Sequence, residues 1–181
     1  DSSSLIDIVV HQLPQVSLAP GDTAFCEGGY VQLEVVSTDT GLSYRWKDGN
    51  TTVPLATADF LEVTTSGSYS VVVSRVGVEG CSDSTTPPVN VVVHPLPVPS
   101  VTWDGKTLSA NSGYSSYQWN INGQPIAGAT NATFEPQTDG PYTVTVTDGN
   151  GCTNTSDAQP VTVKVSMISR DEILVYPNPV Q

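Results

Sequence analysis

The chain has 181 residues, a length that allows one or two domains, and only 13% of them are charged, against about 25% in an ordinary soluble domain. The basic residues Arg45, Lys47, Arg75, Lys106, Lys164 and Arg170 are scattered under a net charge of −12, and without a basic stripe a nucleic-acid partner is disfavoured. No apolar run reaches the ~18 residues of a membrane span. Val, Thr, Ser and Asn stand where charge is missing, and they favour strands and turns over helices.

In chain order, Leu5-Ile6-Asp7-Ile8-Val9-Val10-His11-Gln12-Leu13-Pro14 echoes the later stretch Val89-Asn90-Val91-Val92-Val93-His94-Pro95-Leu96-Pro97. The later copy closes one part of the chain and leads into the next. Residues 1–13 are therefore expected to be a strand and linker from a preceding repeat, with 5–12 added to a sheet edge of the first domain. Strict alternation marks residues 31–35, placing Val31, Leu33 and Val35 on one face. It marks residues 42–46 as well, with Tyr44 and Trp46 together. Asp48-Gly49-Asn50 turns the chain. Phe60-Leu61-Glu62-Val63 reads as a short strand and residues 68–74 as a longer one. Residues 89–93 close the set after Pro87-Pro88, where a strand start tolerates the missing N–H.

The same order then recurs. Leu108 matches Leu33, Tyr117 and Trp119 match Tyr44 and Trp46, and Asn122-Gly123 signals a tight hairpin in which both turn residues need positive φ. Thr133-Phe134-Glu135 matches the Phe60 region, residues 142–147 come next, and 161–165 close the set after Pro160. From Trp46 to Tyr69 is 69 − 46 = 23 residues, and from Trp119 to Tyr142 is 142 − 119 = 23, each Tyr two residues after a Gly. Two β-sandwich domains are implied, 14–95 and 96–166, with 167–181 as a linker and the start of something further.

A Trp on the third strand and a Gly-x-Tyr opening the sixth resemble the immunoglobulin-like pattern. There the Trp fills the middle of the sandwich and the Tyr hydroxyl caps a corner. The run from Tyr117-Gln118-Trp119 to Asn122-Gly123-Gln124-Pro125-Ile126-Ala127-Gly128-Ala129-Thr130 is similar to the immunoglobulin-like modules of secreted bacterial proteins. The resemblance implies an all-β chain of two tandem immunoglobulin-like β-sandwiches, with Trp46, Tyr69, Trp119 and Tyr142 as core anchors. Where antibody domains place their bridging cysteines, this chain has Leu33 and Val71, then Leu108 and Val144, so aliphatic packing replaces that bridge.

Cys81 and Cys152 hold the same place in the two repeats, each after a Gly in the loop beyond the Tyr strand. Cys26 precedes Leu33 by seven residues, and the second repeat, two residues shorter there, has Trp103 instead. The economical expectation is a Cys26–Cys81 disulfide formed in an oxidising compartment, leaving Cys152 unpaired. The alternative is that Cys26 and Cys81 are buried, unlinked small apolar residues.

No catalytic constellation stands out, and no cofactor is implied. His11 and His94 occupy equivalent strand ends with no further ligand at metal spacing, and no Gly-x-Ser-x-Gly elbow occurs. Asp148-Gly149-Asn150-Gly151 carries oxygens but lacks the alternating carboxylates of a calcium loop. Tyr30, Trp103 and Tyr114 are candidates for stacking on sugars, with core packing the favoured role for Trp103.

The tail, Val175-Tyr176-Pro177-Asn178-Pro179-Val180, resembles the opening of the C-terminal sorting domain carried by cargo of type IX secretion in Bacteroidetes-type bacteria. That likeness implies recognition of Tyr176, Pro177, Asn178 and Pro179 by the secretion machinery, and an extracellular or cell-surface destination. The other reading is an extended, Pro-punctuated tail. Together these readings describe non-catalytic spacer or adhesion modules of a secreted protein, whose partners would be a surface polysaccharide or another protein. The rival is a carbohydrate-binding accessory of an extracellular polysaccharide-degrading enzyme, and a planar row of exposed aromatics would distinguish it.

Overall fold

The computed structural model describes residues 9–85 and 87–163. They fall into two compact units, one of residues 9–96 with Asn150–Cys152 and one of residues 97–149 with 153–163. Among the described residues every regular element is a strand.

The strands of the first unit are β1 (Ser17–Ala19), β2 (Thr23–Cys26), β3 (Val31–Val36), β4 (Leu42–Asp48), β5 (Thr51–Thr52), β6 (Phe60–Val63), β7 (Gly67–Arg75), β8 (Ser82–Ser84) and β9 (Val89–His94). One sheet runs β1-β3-β6 and the other β2-β9-β7-β4-β5, with β8 beside β7. Because successive side chains point to opposite faces, Leu33 and Val63 from the first sheet meet Trp46, Tyr69, Val71, Val73, Val89 and Val91 from the second. Alternation in the sequence thus becomes a two-layer core, an immunoglobulin-like sandwich. β2 lies parallel to β9, with Cys26 opposite His94.

The second unit repeats the plan in β10 (Val101–Trp103), β11 (Leu108–Ala110), β12 (Ser116–Ile121), β13 (Gln124–Pro125), β14 (Thr133–Phe134), β15 (Gly140–Thr147), β16 (Thr153–Thr155) and β17 (Gln159–Val161). Its sheets are β10-β11-β14 and β13-β12-β15-β16, with β17 also on β15. Trp119 faces Val144 in the ladder as Trp46 faces Val71. Leu108, Trp119, Tyr142, Val144, Val146 and Val161 form its core. Asn122 and Gly123 both take positive φ, at 49° and 75°, and the hairpin closes Ile121 onto Gln124.

Both large anchors in each unit are tied to backbone. The Trp46 indole N–H donates to the Ala58 carbonyl at 2.9 Å, and the Trp119 indole N–H to the Asn131 carbonyl, also at 2.9 Å. The Tyr69 hydroxyl donates to the Thr65 carbonyl at 3.1 Å, and the Tyr142 hydroxyl to that of Thr138 at 2.9 Å. A buried indole or phenol needs such a partner. The glycine two residues before each Tyr also has a physical reason. A Cβ on Gly67 would sit 2.8 Å from the Tyr69 ring and 2.6 Å from the Asp48 carboxylate, and one on Gly140 would press on Ile121 at 3.3 Å.

Three sequence expectations meet a different outcome or lie outside the description. Residues 9–12, the described part of the expected added strand, belong to no strand. There the Gln12 carbonyl accepts hydrogen bonds from Arg75 Nε at 2.9 Å and from the Cys81 thiol at 3.3 Å. Among the described residues the last strand is Gln159–Val161, ahead of the expected 161–165; it pairs Pro160 with Pro141, where neither proline needs an N–H for the ladder. Residues 164–181, with Tyr176, Pro177, Asn178 and Pro179, lie outside the described residues.

Candidate functional site

The cysteines carry a covalent cross-link, and here the expectation is corrected. Cys26 is bonded to Cys152 at 2.01 Å, not to Cys81, and Cys81 is a buried free thiol. Strand register explains why. β9 pairs with the start of β7, Val91 opposite Gly67, so His94 and its parallel neighbour Cys26 lie beyond that start. Cys81 lies past the other end, where its carbonyl accepts the Arg75 amide at 3.0 Å. The two cysteines of the first unit therefore stand at opposite ends of one sheet, on the order of 30 Å apart by strand rise. No disulfide spans that distance. Asn150–Cys152 accordingly groups with the first unit.

The register also confirms which cysteines are equivalent. Ser82 to Ser84 pair with Ser74 to Val72, and Thr153 to Thr155 with Thr147 to Thr145, so Cys81 and Cys152 each stand one residue before the same strand. Trp103 is not the counterpart of Cys26. It faces Leu108 in the β10–β11 hairpin and packs on the second core, and the chain turns at Asp104 straight into β11. Among the described residues the second unit has no equivalent of β2.

A feature that the sequence expectations do not include lies four residues past each of these cysteines. The strand beside β7 breaks between β8 and β9, and the Thr85 hydroxyl fills the break, accepting the Val71 amide at 3.1 Å while the Thr85 amide donates to the Val71 carbonyl. Ser156 does the same for Val144, at 3.0 Å. Both hydroxyl residues are buried. Its signal in the sequence is a Cys followed four residues later by Thr or Ser, in both repeats.

Aromatic side chains are drawn inward. Trp46 and Trp119 are fully buried, Tyr69 and Tyr142 nearly so, and Trp103, Tyr114 and Tyr117 are half-buried against the second core. The Tyr114 hydroxyl accepts from the Asn111 side-chain amide at 3.0 Å, and its ring meets that of Tyr117 edge-on. Of the sugar-stacking candidates only Tyr30, at 64%, is largely exposed; Phe60, at 44%, is the other exposed aromatic among the described residues. Phe60 lies in an acidic and polar setting, opposite Glu34 on the outer face of β3 and β6.

The surface of the first unit carries shallow clefts, two of them larger than the rest described. One, of about 410 Å³, is lined by Asp48, Thr51, Glu62, Thr65 and Tyr69, and the other, of about 370 Å³, by Val16, Leu18, Asp22, Pro87 and Pro88. Neither gathers a nucleophile with a base. Among the described residues no three His, Cys, Asp or Glu come together in a metal-holding group, and no helix is long and apolar enough to cross a membrane. His11 is exposed, and the His94 carbonyl accepts the Glu27 amide at 2.8 Å.

Asp39 and Asp104 have a depressed pKa. Asp39 is held below the ordinary 3.8 by the Gln15 amide and then by the Arg75 guanidinium, each at 3.0 Å. Asp104 is lowered by the amides of Thr107 and Lys106, at 2.6 and 2.8 Å, within its turn. Both are structural arrangements: each carboxylate is occupied by the backbone it organises.

No known family matches the sequence, and no curated protein matches it. Among solved structures, the fibronectin(III)-like modules of Clostridium thermocellum CbhA are similar at 13% identity, over 83% of this chain and 94% of that one, with a TM-score of 0.43. The insect immune protein hemolin is similar at 10% identity, over 80% of this chain and 46% of that one, with a TM-score of 0.42. Bacteroides ovatus SGBP-B, from a mixed-linkage glucan utilization locus and solved with a mixed-linkage heptasaccharide, is similar at 14% identity, over 90% and 48%, with a TM-score of 0.34. The chain spans about half the length of the last two proteins. The fold rests on the strand topology itself, and these likenesses add no function to it.

Proposed function

We propose that the chain is a pair of non-catalytic spacer or adhesion modules, 14–95 and 96–166, of a secreted or cell-surface protein exported by a type IX-like route. The observation that carries this reading is the placement of the aromatics. Both tryptophans of the repeat and both corner tyrosines are buried, which leaves Tyr30 and Phe60 as the exposed rings among the described residues. A sugar-binding face would present a row of them, since stacking on a glycan needs open ring faces. The disulfide supports an oxidising destination. The export route rests on the resemblance of Tyr176-Pro177-Asn178-Pro179 to a sorting-domain opening.

Affinity electrophoresis of the 181-residue chain through gels containing soluble mixed-linkage glucan, xylan or mannan tests the choice. The expected result is unchanged migration in all three. Retardation that Tyr30→Ala or Phe60→Ala removes would replace the spacer reading with the carbohydrate-binding one. For the route, alanine at Tyr176, Pro177, Asn178 and Pro179 in the protein as its source cell makes it should leave it inside the envelope; undiminished secretion would reject the sorting role.

A further inference from the structure

Cys81 is buried, at 7% exposure, and its thiol donates to the Gln12 carbonyl at 3.3 Å, where the chain runs into the first unit. Taken alone it is an ordinary inert cysteine. Its repeat counterpart says more. Cys152 has the same register, follows the same left-handed glycine (Gly80 at φ 74°, Gly151 at 84°), and precedes the same hydroxyl residue by four positions. The strand that follows it is near the start of the second repeat, since Asn154 donates to the Pro97 carbonyl at 2.9 Å. Cys152 is disulfide-bonded, and its partner is the cysteine that ends a parallel strand laid on β9.

We propose that Cys81 is built for the same bond, to a cysteine ending a β2-like strand in another immunoglobulin-like module placed before residue 9 on the same polypeptide. The structure supplies a donor rule and a receiver rule. The Gly-Cys turn of a module offers the thiol at the end where the chain arrives. The β2 strand holds the other cysteine at the end where the chain leaves, beside His94. The first sequence repeat has both parts. The second repeat has the turn but, among the described residues, no β2, because Trp103 and the Asp104 turn lead directly into β11. Within these residues Cys26 is already used, so an odd thiol is left over, the pattern that signals a partner elsewhere in a secreted protein.

Forming the bond removes one hydrogen from each thiol and makes one S–S bond. The two electrons and two protons pass to an external disulfide of the thiol–disulfide exchange class, which leaves as two thiols. The same oxidant class serves Cys26 and Cys152. The inference rests on that disulfide, on the strand register and on the secreted destination proposed above, but not on the spacer role, so the absence or presence of sugar binding leaves it untouched.

The test is a non-reducing tryptic map of the protein as secreted, alkylated before digestion. Cleavage after Arg45, Arg75, Lys106 and Lys164 puts Cys26, Cys81 and Cys152 in three separate peptides: one that ends at Arg45 and includes all of 1–45, then 76–106 and 107–164. The expected map has the first and third of these linked. It has 76–106 linked to a peptide from outside the 181 residues, whose cysteine is followed by an alternating Val/Leu strand, as Cys26 is followed by Val31-Gln32-Leu33. Cys81 recovered alkylated, capped by a small thiol, or linked to a second copy of 76–106 would overturn the proposal. A link between 1–45 and 76–106 would overturn it together with the strand register on which it stands.

Discussion

The Thr85 hydroxyl accepts the amide hydrogen of Val71 at 3.1 Å in the middle of the first sandwich. The strand alongside β7 is interrupted there, between β8 and β9, and a side-chain oxygen takes the place of a ladder carbonyl. Ser156 and Val144 repeat the arrangement in the second sandwich. Because the site is buried, water cannot replace the oxygen without entering the core.

Thr85→Val keeps the shape and removes the acceptor. It should lower stability by about 1–3 kcal/mol, the cost of a buried N–H without a partner. Thr85→Ser keeps the oxygen and loses one methyl, which costs about 1 kcal/mol or less. Ser156→Ala should behave like Thr85→Val. Urea unfolding midpoints give the comparison, and equal midpoints for the Val and Ser variants at position 85 would show that the hydroxyl contributes nothing.

Trp119 fills the second core with no exposed surface and also donates its N–H to Asn131. Trp119→Ala should cost roughly 3–5 kcal/mol through the cavity and the orphaned carbonyl. Trp46→Ala should do the same to the first core. Phe60→Ala, at an exposed position, should stay within about 0.5 kcal/mol. Calorimetric melting of the three variants is the measurement, and a Trp119→Ala melt close to that of Phe60→Ala would contradict the packing described.

Asp39 joins the Gln15 amide to Arg75, and both partners hold its carboxyl below 3.8. A carboxylate whose folded pKa is depressed favours the folded state above its unfolded value. That contribution falls away as pH drops from about the ordinary 3.8 through the lower folded value. The thermal midpoint should therefore decline on acidification through that window. Asp39→Asn should flatten the decline while lowering the midpoint at neutral pH. An acid limb identical in the variant would show that Asp39 has no part in it. Added salt should weaken its ion pair with Arg75, as screening requires of a partly exposed pair.

Much of the fold was legible because strand periodicity is a local property. Val31, Leu33 and Val35 alternate with polar residues, and a strand with one buried face must show that pattern wherever it later pairs. The equal Trp-to-Tyr spacing carried the sandwich, since each Trp sits opposite a core Val of the strand that its Tyr opens. The Asn122-Gly123 hairpin was legible for the same local reason, because few residue pairs accept positive φ twice. β2 was not: Thr23-Ala24-Phe25-Cys26 is short, comes just after Pro20-Gly21, and is a strand only because β9 offers it a parallel edge.

The disulfide shows where local reading stops. Sequence position made Cys26 and Cys81 neighbours in one repeat, and it correctly made Cys81 and Cys152 equivalents. It could not say that a parallel β2 carries Cys26 past the start of β7 while β8 holds Cys81 beyond the finish. Only the register of β2 on β9, and of β9 on β7, places them at opposite ends. Sequence alone determined which residues face inward, because alternation belongs to the strand itself. Tertiary structure decided which cysteines meet, because a disulfide needs Cα atoms within about 7 Å, and that distance is set by strands pairing across the chain.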